Sequence, residues 1–315
     1  MPFDKISIKR IKLTIYIEKN AINYPLSKHI IAKFNPKLIK INHYKDIFNR
    51  AHQNFNYQKS QNRLILAVKE NTFLYKGSKF CNNRGYQNFY YSTQILGCIY
   101  NCEYCYLGGI YPSGYPVIFV NEEDFINKAN TLKNSFLAIS YETDLLAFEG
   151  IYPFHKAWIN LAREKSDLLI ESRTKSANTD KLPNNPPKNF ILNFSLSPVE
   201  ITKFEKKAPS LEKRIKALNI ALNKGYKVEI AIDPIIKIDN FKEVYKNFIK
   251  YLKENVNLSK IQNIEIGAFR MNKNFLKKLR KIHLSEVTYY PYKIENNEAR
   301  YEDEEELIKY VKSLL

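Results

Sequence analysis

Ile6 and Ile8, then Ile11, Leu13, Ile15 and Ile17, alternate with polar neighbours, the period of a half-buried strand. The phase slips between Ile8 and Ile11, which implies a bulge or two short strands. The pattern predicts a helix around Asp46–Phe55 and a strand over Arg63–Val68. From about Asn88 strand-like runs recur at Phe89–Leu96, Phe136–Ser140, Asp167–Ser172, Phe190–Ser195, Lys227–Ile232 and Ile261–Phe269, most of them separated by helical stretches. Asn121 before Glu122, Glu123 and Asp124 predicts an N-cap with acids in the first turn. Ser210 opens a helix with Leu211, Ile215, Leu218 and Leu222 on one face, and Gly225 closes it. Pro and Asn make Asn178–Lys188 a loop. Strands alternating with helices imply a parallel α/β sheet, and six units fit a partial (β/α)6 barrel. A tail from Ser285 predicts a strand over Val287–Tyr292, a turn at Asn296–Asn297 and a helix from about Asp303. The expected organisation is an N-terminal subdomain over 1–85, the barrel over 86–284 and a C-terminal extension over 285–315.

Composition narrows the class. Of 315 residues 44% are hydrophobic and 26% charged, which excludes a disordered tail or a fibre. No run approaches the ~18 apolar residues of a membrane helix. The first residues, MPFDKISIKRIKL, hold scattered charges and no secretory apolar segment. A soluble, cytoplasmic protein with no membrane partner is expected, and a monomer. Four cysteines are too few for a disulfide scaffold. Lys and Arg total 50 against 32 acids, a net +18 that favours a polyanionic partner such as nucleic acid. Only 10 of the 50 are Arg, and Lys, Ile, Asn and Tyr share A/T-rich codons, so genome composition is a second source of that charge.

Three of the cysteines carry the sharpest chemistry. Cys98, Cys102 and Cys105 stand in GCIYNCEYCYLGG, a C-x3-C-x2-C spacing just after the first strand of the repeat. Thiolates this close can wrap one face of a cuboidal iron–sulfur cluster, leaving one iron open. Zinc is the alternative, but it wants a fourth ligand. The nearest histidines are His52 and His155, and Cys81 lies 17 residues before Cys98.

This triad, followed by Tyr106 and Leu107, resembles the signature of the radical S-adenosylmethionine (AdoMet) enzymes. The further segments VIFVNEEDF (117–125), SYETDLLAFE (140–149), SRTK (172–175), FSLS (194–197), SLEKRIKAL (210–218) and GYKVEIAIDPI (225–235) are similar, in order, to the spore photoproduct lyase family. The resemblance covers roughly residues 86–256 and implies a radical-SAM-type barrel, a [4Fe–4S] cluster and AdoMet. It also implies a DNA substrate containing a 5-thyminyl-5,6-dihydrothymine lesion, and a one-electron reductant of the flavodoxin or ferredoxin class. A 5′-deoxyadenosyl radical would take hydrogen from C6 of the lesion, β-scission would part the thymines, and a thiol would quench the thymine radical. Tyr104 matches the position that packs on adenine, and Tyr104 with Tyr106 matches the relay tyrosines. Lys175 and Ser195 match cofactor-contacting positions.

One departure matters. The family's hydrogen-donor cysteine falls in C-T-S-D, and here Tyr141, Glu142, Thr143 and Asp144 stand there. Glu142 occupies a position that is usually serine, beside the cofactor. Cys81, in KFCNNRGY, is the uncommitted thiol and the candidate replacement donor, with Tyr141 as the alternative. Asp233 ends a strand in AIDPI and is a candidate substrate ligand. Tyr290, Tyr292, Arg300 and Tyr301 interleave rings with charge in the tail, a composition suited to an extruded base and its phosphates. Two rival readings stand: a radical enzyme acting on another nucleic acid or a peptide, and a non-catalytic metal-bearing nucleic-acid-binding module.

Overall fold

The computed structural model describes residues 13–78 and 83–315. The chain opens with β1 (Thr14–Glu18), α1 (Pro25–Phe34), β2 (Lys37–Ile41), α2 (Lys45–Phe48), α3 (Phe55–Ser60) and β3 (Arg63–Ala67). The predicted helix around Asp46–Phe55 therefore splits, because Asn54 accepts from the Tyr57 N–H and starts a new helix at Phe55. Next come β4 (Leu74–Lys76), β5 (Asn88–Ser92), β6 (Ile95–Leu96), β7 (Asn101–Cys102), α4 (Tyr106–Ile110) and β8 (Val117–Phe119). The expected strand Phe89–Leu96 breaks at Thr93 and Gln94, both buried, where the Gln94 side-chain Oε1 accepts from Trp158 Nε1 at 3.0 Å.

The repeat continues with α5 (Glu122–Asn130), β9 (Ser135–Ala138), α6 (Phe154–Glu164), β10 (Leu168–Thr174), β11 (Phe190–Ser195), α7 (Val199–Thr202) and β12 (Glu205–Lys206). It ends with α8 (Leu211–Asn223), β13 (Lys227–Ile235), α9 (Phe241–Asn255) and β14 (Ile261–Ala268). Ser210 caps α8 by accepting from the Lys213 N–H, and Gly225 follows at φ +89. Asn121 precedes α5 as expected, but its amide binds Asp124 and Lys69 instead of capping.

Two sheets share one hydrophobic core. The first has the order β2-β1-β3-β8-β6, the second β14-β13-β11-β10-β9-β5-β4. In the second, β5, β9, β10, β11, β13 and β14 run parallel, the six strands of the expected partial barrel, with β4 antiparallel on the β5 edge. The sheets interleave across residue 85: β6 and β8 join the first, and β4 joins the second.

The tail holds β15 (Arg270–Asn272), α10 (Lys273–Ile282), α11 (Glu286–Tyr289), β16 (Lys293–Glu295), β17 (Glu298–Arg300) and α12 (Glu304–Ser313). A hairpin turns at Asn296 and Asn297, both at positive φ, as predicted. The predicted strand over Val287–Tyr292 is instead the short helix α11, nucleated by a Ser285–Thr288 capping box. Among the described residues no helix is long and apolar enough to cross a membrane.

Candidate functional site

The cysteine loop lies between β6 and α4. Gly97, at φ +79, turns the chain out of β6. That turn is stitched to the next loop: Gly97 N–H donates to the Glu142 carbonyl at 3.0 Å, and the Thr143 hydroxyl donates to the Gly97 carbonyl at 2.8 Å. Cys98 Sγ accepts from the Tyr100 N–H at 3.4 Å. Cys102 lies on β7, whose antiparallel partner is Glu205 on β12. Cys105 caps α4, and its N–H donates to the Cys102 carbonyl at 3.1 Å. The helix α4 seats on α10 through two glycines: a Cβ on Gly109 would stand 2.8 Å from Phe275 Cα, and one on Gly108 2.8 Å from Leu279 Cδ2.

All three thiols are free. Burial raises each of them, Cys98 to about 12 with Asp144 adding to the effect. Such thiols keep their protons until a metal displaces them. Among the described residues Glu171, Glu229 and Glu265 bring three carboxylate oxygens within 4.8 Å of one another, and Arg84 pairs with all three. Three soft ligands on one loop suit a cluster.

A buried network forms one wall. The Tyr104 hydroxyl donates to Glu205, which also takes Arg214 Nη2 and, at 3.0 Å, the Ser197 hydroxyl. Lys175 Nζ stands 3.6 Å from Glu205 and 5.8 Å from the Tyr104 ring centroid. Burial works against the Glu205 charge, but Lys175 and Arg214 outweigh it and hold the carboxyl below its ordinary value. Asp144 orders the neighbouring loop by accepting from the Thr174 hydroxyl at 2.7 Å, the Lys175 N–H at 2.6 Å and the Ala147 N–H at 3.1 Å.

Opposite them the Tyr106 hydroxyl donates to the Tyr141 carbonyl. The Tyr141 ring stacks on Tyr91 at 4.4 Å and meets Tyr106 edge-on at 6.3 Å. Burial raises Glu142, with Tyr111 and Lys69 pulling the other way. Deeper in the barrel Arg84 reaches Glu171, Glu229 and Glu265 on β10, β13 and β14. It enters from the β4–β5 connection, at the far edge of the sheet, so the sheet must curl to bring them together.

The family model for spore photoproduct lyase matches residues 11–311. The chain belongs to the spore photoproduct lyase family. The spore photoproduct lyase of Clostridium acetobutylicum is 24% identical over 288 residues, covering 85% of this chain and 81% of the relative. That of Bacillus subtilis is 24% identical over 254 residues, covering 76% and 72%. A solved mutant spore photoproduct lyase with bound AdoMet and dinucleoside spore photoproduct superposes with a TM-score of 0.80 at 20% identity, covering 96% of this chain and 95% of that one. A spore photoproduct lyase complexed with the dinucleoside lesion gives a TM-score of 0.79 at 20% identity, with the same coverage. The fold is that of these lyases.

Set within this family's fold, the sequence candidates divide. Cys98, Cys102, Cys105, Tyr104, Tyr106, Tyr141 and Lys175 gather around one loop pair. Ser195 ends β11, where its carbonyl faces Arg214 Nη1 at 3.4 Å. Asp233 lies 3.6 Å from Arg173 and 4.0 Å from Arg270. Tyr292 and Tyr301 are buried in a tail cluster: Tyr292 stacks on Phe269 at 4.6 Å and donates to the Val287 carbonyl, while the Tyr301 hydroxyl accepts from the Lys237 N–H. Tyr290 packs edge-on against Tyr301 at 4.8 Å and is half-buried. Arg300, on the hairpin, pairs with Glu298 at 2.5 Å. Cys81 lies outside the described residues.

Sequence reasoning missed Glu205 and Arg214. One signal was present: Arg214 falls on the apolar stripe of α8 beside Leu211, Ile215 and Leu218, where a charge demands a buried partner.

Proposed function

We propose that this chain is a radical AdoMet lyase that reverts the spore photoproduct in DNA to two thymines, a carbon–carbon bond cleavage. The observation that carries the reading is the set of three free thiols on one loop, beside Tyr104 and Lys175, in a chain of this family. Cys98, Cys102 and Cys105 would hold a [4Fe–4S] cluster. When bound and reduced by one electron, the cluster would let AdoMet supply a 5′-deoxyadenosyl radical, the species able to take hydrogen from C6 of the lesion and so part the two thymines.

The chain's own residues hold and return the hydrogen. Lys175, set over the Tyr104 ring and beside Glu205, offers a cation to the AdoMet carboxylate, with Glu142 and Ser195 at the further cofactor-contacting positions. Tyr104 and Tyr106 would relay the hole left on the hydrogen donor back to 5′-deoxyadenosine, so that AdoMet is regenerated. Glu205 accepts the Tyr104 hydroxyl hydrogen bond and is placed to receive its proton on oxidation. Cys81 gives its hydrogen atom to the thymine radical, and Tyr141 is the second candidate. Support for Cys81 is that it is the one thiol of the sequence outside the set Cys98, Cys102 and Cys105. Arg300 and Tyr290 on the tail, with Asp233 at the strand end, bind the lesion, and Tyr292 and Tyr301 support them. The protein acts as a cytoplasmic monomer fed by a flavodoxin- or ferredoxin-class reductant.

The deciding experiment is anaerobic incubation of the reconstituted protein with dithionite, AdoMet and a synthetic spore-photoproduct dinucleotide. Recovery of thymidylyl-thymidine is expected. Formation of 5′-deoxyadenosine without thymine product would overturn the substrate and leave the radical enzyme. Cys81→Ala should still cleave the lesion but accumulate abortive adducts, whereas an unchanged product distribution transfers the donor role to Tyr141.

A further inference from the structure

A second lysine, Lys59, reaches the cysteine loop at Cys98. Lys59 ends the short helix α3, is 8% exposed, and its ammonium donates to the Cys98 carbonyl while lying 5.3 Å from the Phe55 ring centroid. Lys175 already has the Glu205 carboxylate beside it. Among the described residues no carboxylate pairs with Lys59. Burial lowers the Lys59 pKa, and Cys98 first, then Cys105 and Cys102, favour its charge only as the thiolates that a bound metal makes of them. A buried ammonium without a counter-charge is costly, so its place beside three ligand thiols needs a reason.

The approach of α3 is tightly built. A Cβ on Gly114 would stand 2.7 Å from the Phe55 carbonyl oxygen and 3.1 Å from the Lys59 backbone nitrogen, so only glycine lets the helix down onto this loop. Lys207 then donates to the Lys59 carbonyl and fixes the end of α3 from the barrel side. The N-terminal sheet and its helices thus deliver one charge to the cysteine loop.

We propose that Lys59 raises the reduction potential of the cluster held by Cys98, Cys102 and Cys105. The inference rests on the reading that these thiols hold an iron–sulfur cluster. Reduction adds one negative charge, and a fixed cation in a low-dielectric pocket stabilises the reduced form more than the oxidised one. Net charge and hydrogen bonding near the ligands are the terms that set such potentials. Lys59 is a tuning residue and takes no part in the bond-breaking steps.

The test is the midpoint potential of the reconstituted cluster, followed by its electron paramagnetic resonance signal, in wild-type, Lys59→Met, Lys59→Gln and Lys59→Arg proteins. Lys59→Met should lower the reduced-to-oxidised ratio about tenfold at the wild-type midpoint, a negative shift of about 59 mV for one electron. Lys59→Arg should restore most of the shift. Lys59→Gln keeps a donor for the Cys98 carbonyl without the charge, so it should shift like Lys59→Met, and it decides the matter if Lys59→Met loses its iron. A wild-type midpoint in Lys59→Gln, or an equal shift in Lys59→Arg, overturns the proposal. Failure of the underlying reading is distinguishable, because wild-type protein would then contain zinc or no iron.

Discussion

Two buried charge networks occupy the same barrel and are balanced in opposite directions. Beside the cysteines, one carboxylate, Glu205, meets two cations, Lys175 and Arg214, with Tyr104 and Ser197 also donating to it. Deeper in the barrel, Glu171, Glu229, Glu265 and Asp233 share Arg84 and Arg173, and a third guanidinium, Arg270, only approaches Asp233 at 4.0 Å. The outcome shows in two glutamates of similar burial. Glu205 is held below its ordinary value, whereas burial and the two acidic neighbours push Glu229 up in spite of Arg84. The surplus of cations lies where thiolates would form, and the surplus of acids where none do. Buried charge here is placed for the ligand that one site receives, a distinction that burial alone would hide.

Breaking the cation-rich side should cost most. Arg214 is fully buried and is the closest cation to Glu205. Arg214→Met leaves that carboxylate only Lys175 at 3.6 Å among the described cations and should destabilise the protein by about 3–5 kcal/mol, read from the urea midpoint at neutral pH. The loss should shrink on acidification. Glu205 has a depressed folded pKa, so its stabilisation is present above the unfolded value near 4.5 and disappears as pH falls through the folded one.

A third glutamate sharpens the contrast because no cation pairs with it among the described residues. Glu122 is raised to about 7 by burial, with only Gln94 and Tyr152 donating to it. Its folded pKa exceeds the unfolded one, so it costs stability as pH rises from about 4.5 to about 7. Glu122→Gln should therefore stabilise the protein at pH 8 by roughly 2–3 kcal/mol and have no effect near pH 4. Equal thermal midpoints for variant and wild type at pH 8 would refute the assignment.

The acid-rich side should yield less. Arg84→Met leaves Glu171, Glu229 and Glu265 within 4.8 Å of one another, facing only Arg173. The expected loss is about 2 kcal/mol at pH 7, smaller than for Arg214 because these carboxylates can take up protons. Glu229, already raised, goes higher in the variant, so the deficit should narrow by pH 5. A deficit that widens toward acid would sink this account.

What the sequence made legible was local. The C-x3-C-x2-C spacing, the Ser210 and Gly225 boundaries of α8 and the Asn296–Asn297 turn all write their geometry within a few residues. The networks did not, because Glu205 lies 101 residues from Tyr104 and Arg84 lies 145 from Glu229. The break between β5 and β6 was hidden because the buried Gln94 side chain there finds its donor in Trp158, far along the chain. Val287–Tyr292 read as strand because a four-residue helix is too short to show a period, and its capping box is Ser-x-x-Thr.

The smallest stability effect belongs to Lys175, and it separates holding the fold from serving the site. Its ammonium stands 3.6 Å from Glu205, but Arg214 is nearer and already neutralises that carboxylate. Lys175→Met should therefore cost only about 1 kcal/mol in urea. The same substitution removes the cation above the Tyr104 ring, which the proposed mechanism assigns to the AdoMet carboxylate. AdoMet affinity of the reconstituted protein should fall at least about tenfold, equivalent to about 1.4 kcal/mol, while its iron content stays at the wild-type level. If stability and AdoMet binding fell together as far as in Arg214→Met, Lys175 would belong to the structural network and the two lysines flanking the cysteines would lose their division of labour. If affinity alone fell, the cation surplus beside the thiols would be explained as a charge kept for the cofactor.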